Sequence, residues 1–485
     1  MQHFDYDVAV IGGGSAGYAA ARTTASAGLK TVVIEGGKEV GGLCILHGCM
    51  PSKALLFMAK VAHTVKHSAP FGVRAGRVSF NFKKAMARKS LLVKEFADYR
   101  VQQLNSGKFK FIRANAQFLD PHTVTLAPYP EKQKPAPPAT LTAKHFVITT
   151  GSVVSPAPLC QLHDLDCLDS DSALALKKLP KSLVILGGGP TACEFAQFFA
   201  RFGVRVTLVQ RSAHVLRDFD PETSSVVKTV FRREGIQVFT DTKLLDARRK
   251  GKMKTVFFEH NRRTVSVSGE KLLFAMGRTP NTAPLDLEKA GVKTRPNGSI
   301  IANDLMQTSA PHIYTGGDCA GPFEIVHIAT HQGETAGRNI IKPNSARADY
   351  RLLLSVVFTD PHLAYVGLTE KAATERGIPF LAASYPFNDH GQSILMNTLD
   401  GFVKLLADPK TGEIIGGQCA GPLGGELIHE IVAAMAKRMT VQELATMPHY
   451  HPTLAEIWTY PAEELAEKIM HSVTFAGVAQ KTAIS

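Results

Sequence analysis

Two stretches of the chain repeat one order of apolar, small and polar residues. In the first, Tyr6–Ile11 (YDVAVI) is a short apolar run and Gly12–Gly17 (GGGSAG) a glycine loop. Tyr18–Ala27 then has the small-residue pattern of a helix, and Thr31–Glu35 is a second apolar run. In the second, Ser182–Leu186, Gly187–Ala192, Cys193–Phe202 and Arg205–Gln210 follow in the same sequence. Short apolar runs bounded by glycine mark strands buried on both faces of a parallel sheet. Strand, glycine loop, helix and strand in this order predict the opening βαβ unit of a dinucleotide-binding domain. Two such units predict two bound dinucleotides.

Elsewhere the pattern is less regular. Strand-like runs at Phe109–Ile112, Thr123–Leu126 and His145–Thr149 flank the proline-rich stretch Pro128–Pro138. That stretch reads as an exposed connection between strands. Pro156 and Pro158 interrupt regular structure after Gly151 and suggest a boundary there. Further boundaries fall near Gly277–Pro284 and Lys342–Asp349. The C-terminal part mixes strands (Leu354–Phe358, Phe402–Ala407, Ile414–Cys419) with helices (Gly425–Lys437, Pro461–Met470), the pattern of an α+β domain. The expected fold is α/β: two Rossmann-like dinucleotide-binding domains and a C-terminal α+β domain. The expected divisions are residues 1–155, 156–280, 281–348 and 349–485, the first and third forming one domain.

Composition adds limits. The 485 residues are 45% hydrophobic and 20% charged, ordinary values for a globular protein. Seven cysteines are too few and too scattered for a disulfide scaffold, and only Cys44 and Cys49 lie close together. One redox pair in a reducing cytosol is the expected setting. No segment reads as a membrane span, and Phe4–Ile11 runs straight into the glycine loop with no signal peptide before it. The net charge of +13 is spread without a run of five basic residues, so a solvated basic surface is expected and not a nucleic-acid site.

Candidate chemistry lies in six places. In the first loop, Gly12 allows the tight turn, Gly14 lets a pyrophosphate approach the backbone and Gly17 lets helix and strand pack closely. Glu35 ends the second strand, where an acid bonds ribose hydroxyls. GGLCILHGCMPSK follows. Cys44 and Cys49 stand at what looks like the start of a helix running through Lys53 to Ala62, where a helix N-terminus and nearby cations lower thiol pKa. A metal site at these cysteines lacks a second Cys/His pair at ligand spacing. The second loop keeps Gly187 and Gly189 but has Ala192 as its third small residue. After Arg205–Gln210 no carboxylate stands at the strand end; Arg211 and Arg217 follow instead. Asp318 lies in YTGGDCAG and His327 in EIVHIA. In HYHPTLAE, His451 is a candidate base near neutral pH, with Glu456 to orient it and His449 a bystander.

GG-x-C-x4-C-x-P-S-K, with both glycine loops, closely resembles the pyridine nucleotide-disulfide oxidoreductases: dihydrolipoamide dehydrogenase, glutathione reductase and mercuric reductase. The resemblance runs from Asp5 to about Met470. It implies a redox-active Cys44–Cys49 disulfide against FAD, with Cys49 over the flavin and Cys44 attacking the substrate. It implies FAD contacts at Gly12, Gly14, Ser15, Ala16, Gly17, Glu35, Gly42, Lys53, Ala116, Gly151, Asp318 and His327, with Glu194 paired to Lys53. His327 reads equally as a packed core residue. It implies nicotinamide contacts at Gly187, Gly189, Thr191, Ala192, Glu194, Arg211, Arg217 and Gly277. The arginines, without an acid near Gln210, resemble glutathione reductases and favour NADPH, with NAD possible. Pro190 departs from the family's usual aromatic or aliphatic residue. The His451–Glu456 pair implies a homodimer with active sites shared between chains.

The substrate stays open at this level. No cysteine follows Cys419, against mercuric and large thioredoxin reductases, and Glu334 replaces the arginine typical of glutathione reductases. PSKALL, His327 and HPTLAE are shared with dihydrolipoamide dehydrogenases, which normally use NAD. The alternatives are such a dehydrogenase, a flavin-based quinone or metal reductase, and a non-catalytic subunit.

Overall fold

The computed structural model describes residues 3–129, 137–157, 159, 162 and 165–482, with side chains to 471. Pro158 and most of the Pro128–Pro138 connection lie outside the described residues; the strands on either side end at Pro128 and begin at Thr140.

Four larger sheets and one two-stranded ribbon organise the described residues. The first is parallel, in the spatial order Lys110–Asp120, Thr31–Glu35, Tyr6–Ile11, Thr140–Ile148 and Ile313–Thr315. Its central strands are buried on both faces, as the unbroken apolar runs require. The outer halves of Lys110–Asp120 and Thr140–Ile148 continue into antiparallel pairing with Thr123–Pro128. The second sheet is also parallel: Lys271–Phe274, Ser182–Leu186, Arg205–Val209 and Gln237–Phe239. A three-stranded antiparallel sheet, Thr242–Lys250, Met253–His260 and Arg263–Gly269, extends that unit. The last sheet is antiparallel, in the order Leu354–Val357, His362–Gly367, Ile414–Gly421, Phe402–Ala407 and Leu381–Pro386. It packs under Gly424–Ala436 around the fully buried Trp458.

The paired βαβ units form where the pattern places them, but their helices start earlier, at Ser15 and Pro190. In each the last glycine before the helix, Gly14 or Gly189, is its N-cap, so the first turn belongs to the loop. Pro190 takes the first helical position, where its missing N–H costs nothing. The thiol segment also differs from the expected single helix. Cys44 sits in a five-residue helix, Gly42–Leu46, and Cys49 opens a second, Cys49–Lys66. The break falls at His47 and Gly48, where the backbone leaves helical angles. By length and composition Gly42–Lys66 is one stretch apolar enough to cross a membrane, at mean hydropathy 1.4, where none is expected from the sequence. It is interrupted at Gly48, carries the thiol pair, and is tied to the second unit through Lys53.

The chain leaves the first unit along Ser152–Val154 and returns along Arg278–Pro280, and these two strands pair antiparallel. An ion cluster around the buried Arg201 joins the second unit to the third. Arg201 ends the helix Pro190–Arg201 at 6% side-chain exposure; its Nη2 meets Glu234 at 2.6 Å and its Nη1 meets Asp360 at 2.9 Å. Gln197 donates to Glu234 and to the Asp360 carbonyl, and accepts from the Asp360 N–H.

Candidate active site

The first glycine loop is shaped by contact. A Cβ on Gly17 would lie 1.8 Å from the Gly12 carbonyl oxygen, so helix and loop pack this closely only with glycine there. A Cβ on Gly42 would lie 2.9 Å from the Gly14 Cα. That second approach seats the thiol segment directly on the dinucleotide loop. No side chain caps the helix Ser15–Ser26, so the free N–H groups of its first turn, at Ser15, Ala16 and Gly17, suit a phosphate. Glu35 ends its strand with its carboxylate accepting from Gly13 N–H at 2.8 Å and Gly37 N–H at 2.7 Å. Asp318 accepts from Ser152 Oγ at 2.6 Å, close after Gly151 at the crossover. Ala116 lies within Lys110–Asp120 and is buried in the core of the first sheet. His327 opens the helix Val326–Ile341; burial, with His429 and His331 nearby, holds its imidazole below the ordinary value. A Cβ on Gly14 would meet nothing nearer than Gly42 Cα at 3.9 Å, which leaves the backbone there open to a pyrophosphate. These residues fit FAD.

The two thiols are neighbours and hydrogen-bond each other. The hydrogen bond from Cys44 lowers Cys49 to about 7, and the Lys53 ammonium one turn along adds to the effect against the cost of burial. The same hydrogen bond, with burial, pushes Cys44 well above the usual thiol range. The pair therefore shares one proton between a donor, Cys44, and an acceptor, Cys49. Lys53 also bonds both carboxylate oxygens of Glu194, at 3.0 and 2.9 Å. Glu194 is buried and accepts from Phe358 N–H at 3.0 Å, while the ammonium lies 4.8 Å above the Phe358 ring. Three units of the fold thus meet at one cation. In the reduced enzyme, thiolate ultraviolet absorbance is expected to be present above about pH 7 and to fade as pH falls through it. Cys49→Ser should remove that transition and Cys44→Ser should keep one; a transition that survives Cys49→Ser assigns the low-pKa thiol to Cys44.

His451 stands apart from this group in sequence, with its side chain 76% exposed. Its Nδ1 lies 2.9 Å from Glu456 Oε2, and Glu456 is buried. That contact fixes Nδ1 as the protonated nitrogen and leaves Nε2 free to handle a proton. The His449 side chain is buried against Glu430 at 2.6 Å and the Met447 carbonyl.

In the second loop, Gly189 caps the helix without side-chain help, and Thr191 and Ala192 lie in its first turn, Ala192 fully buried. Gln210 is buried at the strand end; a Cβ on Gly188 would meet its Cγ at 2.8 Å. Arg211 is exposed, and Arg217 is exposed with Asp218 3.8 Å from its guanidinium and Lys371 donating to its backbone carbonyl. Gly277 accepts from Ser155 N–H across the crossover. Two contacts escape the sequence reading: Phe358 against Lys53 and Glu194, and His390 against Glu456. Both come from the third unit, far along the chain, in stretches without a glycine loop or a paired motif to mark them.

Known proteins agree with this architecture. The family described as pyridine nucleotide-disulphide oxidoreductase matches residues 6–333, and its dimerisation domain matches 353–462. The dihydrolipoyl dehydrogenase of Geobacillus stearothermophilus is 34% identical over 465 residues, covering 96% of this chain and 97% of that one. That of Thermus scotoductus is 35% identical over 470 residues, covering 96% and 98%. Among solved structures, LpdA from Mycobacterium tuberculosis superposes with a TM-score of 0.84 at 26% identity, covering 94% of this chain and 99% of that one. The Cu(II) complex of the HOCl-induced flavoprotein disulfide reductase RclA from Escherichia coli gives 0.82 at 25% identity, covering 96% and 99%. With both domain types matched in order along nearly its whole length, the chain belongs to the class I pyridine nucleotide-disulphide oxidoreductases and is a flavoprotein disulfide oxidoreductase.

Proposed function

We propose that this enzyme uses NADPH to reduce a small disulfide, as a cytoplasmic homodimer whose active sites draw on both chains. The observation that carries the cofactor choice is the end of the strand Arg205–Val209: buried, neutral Gln210, then exposed Arg211 and Arg217 with no carboxylate at the strand end itself. Bound on the Gly12–Gly17 loop, FAD would supply the two-electron relay from the nicotinamide to the Cys44–Cys49 disulfide.

The chain's own residues account for the rest. Reduction of the disulfide by two electrons and one proton leaves Cys44 as thiol and Cys49 as thiolate, the protonation pattern that their hydrogen bond favours. Lys53 sits beside the thiolate charge and Glu194 holds Lys53 in place. His451 takes the proton from Cys44, whose sulfur attacks the substrate disulfide and forms a mixed disulfide. The departing thiolate takes that proton back from His451. Cys49 then attacks the Cys44 sulfur, releases the second substrate thiolate and restores the Cys44–Cys49 bond. Glu456 holds His451 in one tautomer throughout.

A second reading, dihydrolipoyl dehydrogenase, is favoured by the names of the relatives that match 96% of the chain. The two separate on cofactor. A fork-shaped arginine contact to the 2′-phosphate is worth about 1.5–3 kcal/mol, reduced toward the lower end by exposure. The expected result is a roughly tenfold to hundredfold higher kcat/KM with NADPH than with NADH. Gln210→Glu with Arg211→Ala should erase that preference, mainly through KM. Equal or better use of NADH by the unmodified enzyme, with turnover of lipoamide in a disulfide panel, decides for the second reading. Quinone or metal-ion reduction that survives Cys44→Ser would place the dithiol outside the main route.

A further inference from the structure

A second histidine stands behind Glu456. His390 is fully buried, and its Nε2 lies 3.5 Å from Glu456 Oε1, the carboxylate oxygen that His451 leaves free. Its Nδ1 lies 2.8 Å from Ser393 Oγ, and Ser393 is fully buried too. Nε2 is buried without a formed hydrogen bond among the described residues, so the Glu456 contact is a charge-range approach that a small shift would turn into a bond. The other polar contact to Oε1 is the Thr453 N–H at 3.4 Å.

We propose that His390 is a positioning residue for the thiol–disulfide step: its Nε2–H, held by the Ser393 hydroxyl on Nδ1, fixes the Glu456 carboxylate, which in turn fixes His451. This rests on the reading above that Glu456 orients His451 as the base. The chemistry assigns one tautomer. The Glu456 carboxylate can only accept, so the tautomer that serves it carries the ring proton on Nε2, and Nδ1 then accepts from the Ser393 hydroxyl. Burial holds the imidazole below its ordinary value, against the pull of Glu456, which keeps the ring in this neutral form near pH 7. The Tyr460 ring meets His390 edge-on at 6.3 Å and stacks on Tyr385, so the imidazole is walled on that side by aromatic rings. Without His390 the carboxylate keeps one weak backbone contact on Oε1 and is free to turn about its last bond. His451, exposed and held among the described residues by Oε2, turns with it. A contact between a neutral donor and a buried charge is large enough to matter for a proton-transferring residue.

The test compares His390→Leu, His390→Gln and Ser393→Ala in the FAD-loaded enzyme, with His451→Gln in parallel. Two rates are read: disulfide turnover, and nicotinamide-driven reduction of an artificial quinone, which needs no proton at Cys44. His390→Leu is expected to lower kcat for the disulfide about tenfold with KM and quinone reduction unchanged. His390→Gln places an amide N–H near the position of Nε2 and should recover most of the loss. Ser393→Ala should lower the same kcat severalfold, and carries the test if His390→Leu fails to hold FAD. Full disulfide turnover in His390→Leu, or in Ser393→Ala where Leu does not fold, overturns the proposal if His451→Gln is impaired. Equal losses in Leu and Gln assign His390 to packing and overturn it as well. Unimpaired turnover in His451→Gln instead overturns the reading of the base on which the proposal rests.

Discussion

Replacing His451 by glutamine is expected to lower disulfide turnover about 100- to 10,000-fold, the usual contribution of a positioned acid–base group. The side chain that donates and accepts the proton is the only part removed. Glutamine keeps the length and still reaches Glu456, so folding and FAD content should stay as they are. Reduction of an artificial quinone by the reduced nicotinamide should also stay, because that route asks for no proton at Cys44. Loss of both rates together would mean a damaged fold and not a missing base. The exposure of His451, 76% in the single chain, leads to a second arm of the same experiment. If the residue completes the site of a neighbouring copy, inactive His451→Gln and inactive Cys44→Ser chains should restore activity when mixed, at one of the two sites in each heterodimer. Verified heterodimers with no activity would place His451 and Cys44 of one chain in the same site.

The largest expected stability effect lies elsewhere, at Arg201. Its guanidinium is 6% exposed and is shared between Glu234 and Asp360, with Lys60 3.8 Å from the same aspartate. Arg201→Leu leaves two partly buried carboxylates without their principal cation. Removing one partner of a buried pair typically costs about 3–5 kcal/mol. The expected result is a large fall in the denaturation midpoint of the FAD-loaded enzyme. Much of it should return when Glu234→Leu and Asp360→Asn are added, since an uncharged set of similar volume avoids the desolvation cost of the carboxylates. A change below about 1 kcal/mol for the single variant would show that water or a movement of Asp360 relieves the charges. Carboxyl burial also gives the effect a direction in pH. Asp360 is held below the usual carboxylate range despite its burial, chiefly by Arg201. A group lowered in the folded state adds stability above its unfolded value, and that stability is lost as pH falls through the folded value. In Arg201→Leu this contribution should largely vanish, so the variant should lose less than the parent on acidification.

The elements that could be read in advance share a local cause. Tyr6–Ile11, Thr31–Glu35, Ser182–Leu186 and Phe402–Ala407 are strands with the bounds their apolar runs imply, because glycine or charge ends each run. The thiol segment was only half legible. The pattern continues through His47 and Gly48, yet the short helix around Cys44 ends there, where both residues leave helical angles, while Gly42 at its start packs on Gly14 far along the chain. The antiparallel extension Thr242–Gly269 is polar on its exposed face and carries few apolar pairs, so it gives little sequence signal. Lys53 and Glu194, 141 residues apart, pair as the family resemblance implies. Phe358 and His390 were not legible at all: their partners are set by how the third unit docks, which no local spacing encodes.

The paired strands Ser152–Val154 and Arg278–Pro280 make the nicotinamide unit a cassette. Its entrance and exit lie one strand spacing apart, so the host sheet meets it as it would meet a hairpin of a few residues. Because the ends are already pinned, lengthening or shortening the cassette changes the closure entropy by only about 0.6 kcal/mol per doubling of its length. A unit attached in this way can be exchanged for one with a different nucleotide preference where the replacement keeps the groups that tie it to its neighbours, Glu194 on Lys53 and Arg201 with Gln197 on Asp360. In a lineage of such enzymes, the choice of electron donor can change separately from the choice of electron acceptor.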